Sequence, residues 1–180
     1  MSDPKIRLSK FLSLVLRHEP QRAGLTLDAA GWVDVDALLS GCSAAGVTLT
    51  REELESIVAH SDKKRFAFSP DRKRIRASQG HSVEVDLAYQ PAVPPTVLYH
   101  GTADRFIASI KAQGLIKGQR HHVHLSVLRN TAVEVGRRHG RPVVITIAAA
   151  AMHAAGHVFF LSANGVWLTE AVPAEYLAFD

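Results

Sequence analysis

Cysteine is nearly missing from this chain of 180 residues: Cys42 stands alone. A single thiol excludes an internal disulfide and fits a reducing, cytoplasmic setting. Long hydrophobic runs are missing too. The most apolar early stretch, 6–16, is interrupted by Arg7 and Lys10, so neither a signal peptide nor a membrane span is expected there. Internal repeats and low-complexity tracts are also absent, which sets aside solenoids and disordered tails. What is present is a normal supply of core-forming residues, 47% apolar with 21% charged, enough for one generous domain or two small ones.

The net charge of +4 is modest, but its distribution is uneven. Between Lys63 and Arg76, seven of fourteen residues are Lys or Arg, a local density that points to a phosphate-rich partner. Upstream of it, Ile6, Leu8, Phe11, Leu12, Val15 and Leu16 recur at helical spacing. They predict an amphipathic helix over 5–17, with Asp3 as N-cap and Pro4 at its first position. Lys10 and Arg17 lie two turns apart on its other face, giving a basic stripe that ends at Arg17-His18, and Pro20 stops the helix.

Asp34 caps a second helix reaching about residue 44, and Thr50 with Glu53 has capping-box spacing for a third over 51–60. Arg65–Phe68 and Arg74–Arg76 flank a Pro70-Asp71 turn and read as a hairpin. Three helices followed by a basic hairpin have the layout of a winged-helix lobe, a common nucleic-acid scaffold. The glycine and prolines between 79 and 96 mark a boundary, with Ser82–Val85 strand-like within it, and the domains are set at 1–80 and 81–180. Beyond it strands dominate: 97–100, 122–126, 143–147, 158–161 and 165–169, with helices near 103–113 and 130–139. Strands without strict βαβ alternation predict an α+β lobe whose sheet is mainly antiparallel.

Within that lobe, residues 120–126 read Arg120-His121-His122-Val123-His124-Leu125-Ser126. Val123 and Leu125 alternate with His122, His124 and Ser126, the period of a half-buried strand, so one face carries imidazoles and a hydroxyl. A second histidine, His100, leaves its strand into Gly101-Thr102, where a glycine allows close approach of main chain to a ligand. Read singly, each has a plainer explanation. Arg17 is also what a helix C-terminus favours, Arg65 and Arg120 are also ordinary surface arginines, and the strand could carry its histidines by chance.

Taken in order, these segments resemble the RNA (tRNA) 2′-phosphotransferase family. The resemblance is carried by Leu8-Ser9-Lys10 through Leu16-Arg17-His18, Gly31-Trp32-Val33, Asp62-Lys63-Lys64-Arg65-Phe66 and Ile75 through Ser82. It continues through Leu98-Tyr99-His100-Gly101-Thr102, Arg120 through Ser126 and Asn164 through Thr169. It implies a winged-helix lobe followed by an ADP-ribosyltransferase-like lobe that binds NAD. The implied reaction removes an internal 2′-phosphate from RNA such as a spliced tRNA. That phosphate attacks the anomeric carbon of the NAD ribose and expels nicotinamide. The 2″-hydroxyl of the ribose then attacks phosphorus, breaks its bond to the RNA 2′-oxygen, and gives RNA with a free 2′-hydroxyl and ADP-ribose 1″,2″-cyclic phosphate.

The family's catalytic Arg-His-Arg-Arg set falls on Arg17, His18, Arg65 and Arg120, with Lys10 an added phosphate contact. Guanidinium groups suit a phosphate dianion because they are planar, always charged and bidentate. His18 can donate to the phosphate or act on protons near neutral pH. On the NAD side the resemblance places His100 and His124 at the first two signature positions, with Gly101, Thr102 and Ser126 as further contacts. The third position, often glutamate in protein-modifying relatives, is Val166. A phosphate nucleophile is already anionic at pH 7 and needs no carboxylate base.

Three alternatives remain at this level. A metal site is disfavoured because adjacent His121 and His122 should face opposite sides of a strand and Cys42 is remote. A binding module without catalysis would leave His100 and His124 unexplained. An ADP-ribosyltransferase acting on terminal phosphates of RNA or DNA would use the same residues. A monomer is the simplest assembly expected.

Overall fold

Asp3 begins the first helix as its spacing predicts: its Oδ1 accepts the main-chain N–H of Lys5 at 2.9 Å, with Pro4 at the first helical position. The computed structural model describes residues 3–61 and 63–180; Asp62, part of the family-like run 62–66, lies outside the described residues. By contacts the chain divides into two compact units, Met1–Ala88 and Tyr89–Asp180.

In the first unit, helix α1 (Pro4–Arg17) buries Leu12, Val15 and Leu16 completely. Strand β1 (Val33–Asp34) leads into α2 (Val35–Ala44), whose N-terminus is capped by Asp34 Oδ1 accepting from Ala37 N at 3.0 Å. Helix α3 (Arg51–Ala59) opens with the expected capping box: Thr50 Oγ1 accepts from Glu53 N, and Glu53 Oε2 accepts from Thr50 N.

The hairpin follows, with β2 (Phe66–Phe68) antiparallel to β3 (Arg74–Ala77) and Phe68 opposite Ile75. Its turn is built from side chains. Ser69 Oγ donates to Asp71 Oδ1 at 2.6 Å and accepts from Arg74 N at 3.0 Å. Strand β1 joins the far side of β3, giving a three-stranded sheet in the order β1-β3-β2. Leu12, Leu16, Leu38, Leu54 and Ile75, all fully buried, hold helices and sheet around one core. Truncating any of these leucines to alanine is a change that typically costs about 2–5 kcal/mol.

Residues 82–85 form no strand. The main-chain N–H groups of Ser82 and Val83 both reach the carbonyl of Arg17, at 2.9 and 3.4 Å, and Asp86 N donates to Ala29 O at 2.7 Å. The alternating pattern looked like a strand, but these donors are taken by a helix end and a loop, so no ladder forms. Gly31, at φ +81°, makes room for this strap: a Cβ there would sit 3.3 Å from His81 Nε2. These contacts put 81–88 with the first unit.

The second unit contains, in order, β4 (Leu98–Ala103), α4 (Ile107–Gln113), β5 (Leu115–Ile116), β6 (Val123–Leu125), α5 (Arg129–Arg137) and β7 (Pro142–Ile147). It continues with α6 (Ala149–Ala154), β8 (Phe159–Leu161), β9 (Trp167–Thr169), β10 (Ala171–Val172) and β11 (Leu177–Phe179). Its sheets are β11-β7-β4, β6-β9-β8 and the pair β10-β5, and every pairing is antiparallel. The architecture is therefore α+β with antiparallel sheets. Tyr99 and Ser126 exchange two main-chain hydrogen bonds of 2.8 Å, tying the end of β6 to β4. Leu98, Leu125, Ile145, Ile147, Met152 and Phe159 fill the core between these layers.

Candidate active site

In the first unit, the C-terminus of α1 delivers Arg17 in its last turn and His18 as its cap, with His18 N donating to Leu14 O. The Nε and Nη2 atoms of Arg17 are shielded from solvent. His18 Nδ1 lies 2.9 Å from Ser82 Oγ. Arg65 sits just before β2 and is held through its main chain, its N–H donating to Ser61 Oγ at 3.4 Å and its carbonyl accepting from Ser78 N at 2.9 Å. Arg65 and Lys10 share a cavity of about 550 Å³ with Lys5, Lys63, His60, Ser9, Ser13, Ser56 and Ser61. Every charged residue among the described lining is cationic, which suits phosphate. Arg17 and His18 are not among the residues lining that cavity.

The basic run 63–76 thus separates into two groups. Arg72 pairs with Glu55 at 3.9 Å and lies over the Phe68 ring. Arg74 pairs with Asp28 at 3.4 Å, and both Arg74 and Arg76 lie over Trp32, at 5.5 and 4.4 Å from its ring centre. Carboxylates and aromatic faces thus engage the arginines at the hairpin, whereas Lys63 and Arg65 line the cationic cavity.

In the second unit, the alternation read in 122–126 holds: Val123 and Leu125 are buried, while His122, His124 and Ser126 are half-buried on the other face. His100 Nδ1 is 3.0 Å from the main-chain oxygen of His124. A carbonyl can only accept, so Nδ1 carries the hydrogen and Nε2 of the neutral ring is an acceptor. His100 is kept neutral chiefly by burial, which lowers its pKa, helped by the charge of Arg120 and by His139; the bond to His124 opposes the shift.

His124 Nδ1 is 3.1 Å from Arg120 Nη1. Guanidinium can only donate, so here Nδ1 accepts, and the hydrogen of the neutral ring is on Nε2. Two neighbouring imidazoles are thereby held in opposite tautomers. Sugar hydroxyls, which both donate and accept, suit such a pair. Crowding by protein and then Arg138 lower the pKa of Arg120, which stays charged at neutral pH.

The remaining sequence-predicted residues fall as follows. Thr102 is buried on the strand face shared with His100, and Ser126 is fixed by its paired main-chain bonds to Tyr99. Gly101 faces helix α5: a Cβ there would lie 1.7 Å from Ala132 O, so the space left by the missing side chain is filled by the helix. Val166 lies in the turn before β9, its N–H donating to Ser162 Oγ at 3.0 Å. His122 packs edge-on against Phe160 and Tyr89, and burial lowers its pKa.

Sequence reasoning did not assign Ser82 a role at His18; its place within the family-like run 75–82 was the available signal. Among the described residues no group of three or more His, Cys, Asp or Glu is placed to hold a metal ion. No described helix is long and apolar enough to cross a membrane.

A cavity lined by lysines and Arg65 in one unit, and imidazoles bonded to a neighbouring strand and to Arg120 in the other, are chemistry that suits phosphate esters. A family profile described as RNA 2′-phosphotransferase, Tpt1 / KptA family, matches residues 3–171. A probable RNA 2′-phosphotransferase of Pseudomonas aeruginosa PAO1 is 59% identical over 170 residues, spanning 94% of this chain and 93% of the relative. Similarly described proteins of Streptomyces coelicolor and Nostoc punctiforme are 55% and 53% identical, covering 97% and 98% of this chain and 94% and 98% of their own lengths. The chain belongs to the RNA 2′-phosphotransferase family.

Proposed function

We propose that the chain is an NAD-dependent RNA 2′-phosphotransferase that removes an internal 2′-phosphate from RNA. It acts through an ADP-ribosylated 2′-phospho-RNA and releases nicotinamide and ADP-ribose 1″,2″-cyclic phosphate. Family membership over residues 3–171 supports the transferase activity. The observation that carries the use of NAD is the opposed tautomers of His100 and His124, with Arg120 bonded to the second.

Arg17, His18, Arg65 and Lys10 are proposed to receive the RNA 2′-phosphate. The arginines match a dianion with paired donors, and His18 adds one more N–H. His100 Nε2 accepts from a ribose hydroxyl of NAD, and His124 beside it is a second contact to the same sugar. Gly101, Thr102 and Ser126, on or beside β4, complete the proposed NAD contacts. Bound NAD supplies an anomeric carbon with nicotinamide as leaving group. Arg120 stabilises the negative charge that builds on the phosphoryl oxygens when the ribose 2″-hydroxyl attacks phosphorus.

In this reading the first unit is a winged-helix lobe, supported by its order of three helices and a β1-β3-β2 sheet. The second is an ADP-ribosyltransferase-like lobe, and the enzyme works as a cytoplasmic monomer.

The test is incubation with an RNA carrying one internal 2′-phosphate, with and without NAD. NAD-dependent loss of the phosphate together with the cyclic product is the expected result. Accumulation of an ADP-ribosylated RNA end would instead identify a terminal-phosphate ADP-ribosyltransferase, and binding without turnover would reduce the protein to a binding module.

A further inference from the structure

Residues 78–82 touch the main chain at three of the proposed phosphate-handling positions or their neighbours. Ser78 N donates to Arg65 O at 2.9 Å, and Ser78 Oγ donates to Lys64 O at 3.0 Å. Four residues later, Ser82 N donates to Arg17 O at 2.9 Å, and Ser82 Oγ lies 2.9 Å from His18 Nδ1. Between them His81 is buried, and its ring abuts Gly31. The strap therefore bonds both to the end of α1 and to the residue that opens β2, two places far apart in sequence.

We propose that Ser82 is the positioning residue for His18, committing Nδ1 to the protein so that Nε2 is the nitrogen presented to the RNA phosphate. This rests on the phosphate-handling reading of His18 given above. The physical need is local. His18 is the cap of α1, past the last helical residue, where its backbone no longer holds the ring against a preceding turn. An imidazole has two rotatable side-chain bonds, so either nitrogen can in principle be turned toward a neighbour. Ser82 favours the orientation with Nδ1 inward, because its own Cα is anchored independently by the N–H···O bond to Arg17. The hydroxyl can accept from Nδ1–H in the imidazolium or donate to Nδ1 in the neutral ring, so the restraint survives either charge state.

The same anchoring makes Ser82→Ala a clean probe: the main-chain bond remains and only the Oγ contact is lost. Single-turnover removal of the 2′-phosphate should slow about tenfold in kcat/KM for RNA, the scale of one lost hydrogen bond to a group that can carry charge. The KM for NAD and the unfolding midpoint should stay the same. Ser82→Thr, which keeps the hydroxyl, should recover most of the rate. In a His18→Ala background, Ser82→Ala should add no further loss.

Wild-type rates for Ser82→Ala alongside a crippled His18→Ala would overturn the inference and leave the role of His18 standing. An equal loss in both backgrounds would also overturn it, because Ser82 would then act on the fold rather than on His18. An undiminished His18→Ala would sink the phosphate-handling reading of His18 itself. Should Ser82→Ala not fold, nitrogen-15 spectra of the wild-type imidazole decide the matter. Addition of 2′-phosphorylated RNA should perturb Nε2 of His18, and a response confined to Nδ1 would refute the assignment.

Discussion

The Nδ1 of His100 donates to the main-chain carbonyl of His124 across 3.0 Å, so a side chain of β4 reads the backbone of β6. The bond selects one tautomer and makes Nε2 the acceptor nitrogen of the neutral ring. Because burial is the first cause of its lowered pKa, protonation of this ring works against the folded state.

Stability should therefore depend on pH in one direction through His100. The folded pKa lies below the ordinary 6.5, so the unfolded chain binds the proton first as pH falls. The contribution is complete above pH 6.5 and is lost as pH drops from there toward the lowered value. His122 shifts in the same direction and adds to the trend. Unfolding midpoints measured across this range should fall less steeply toward acid in His100→Asn, which keeps an amide donor for His124 O but does not titrate. An identical slope in both proteins would remove His100 as the source.

Arg120→Ala should impair the second chemical step more than the first. Loss of one preorganised donor to a developing oxyanion is typically worth about 10²–10³ in rate. Quenched time courses should show the ADP-ribosylated RNA accumulating while nicotinamide is still released. Arg120→Lys should recover only part of the loss, since an ammonium cannot reproduce the planar contact to His124 Nδ1. Equal slowing of both steps would argue against this division of labour.

Gly101→Ala should destabilise the protein whether or not NAD is present. The new methyl would meet the Ala132 carbonyl, a main-chain atom of α5 with no rotamer to change. The helix must shift, at about 1–3 kcal/mol, the range for overpacking. Denaturant melts of wild type and variant measure this directly, and unchanged stability would show that α5 yields freely.

Lys10→Ala should weaken RNA binding and lower the slope of log affinity against log salt by about one. Lys10 lines the cationic cavity with Arg65. Arg72→Ala should alter the slope less, because Arg72 already faces Glu55 and the Phe68 ring. Fluorescence titrations at several salt concentrations distinguish the two; the reverse order would move the RNA contact to the hairpin tip.

The helix starts were legible because their signals are local. Asp3, Asp34, and Thr50 with Glu53 each satisfy donors within four residues of themselves. The alternation at Val123 and Leu125 was legible for the same reason, since a strand of three residues needs only neighbours to show its period. The elements β5, β10, β11 and α6 were not expected: β5 and β10 have two residues each, while Leu177–Phe179 and Ala149–Ala154 are almost wholly apolar and show no polar–apolar period. Ser82–Val85 misled because its pattern suited a strand while its donors were claimed by Arg17, distant in sequence.

The sequence by itself determined which chemical groups this protein owns: Arg17, His18, Arg65, Arg120, His100 and His124, at spacings that fit one family. Only the tertiary structure decided what the Nδ1 of His18 and of His100 bonds to. That partner is Ser82 for His18, 64 residues away, and the His124 carbonyl for His100, 24 residues away. A tautomer is set by whatever donor or acceptor the fold brings alongside the ring, and no local pattern of residues encodes that neighbour.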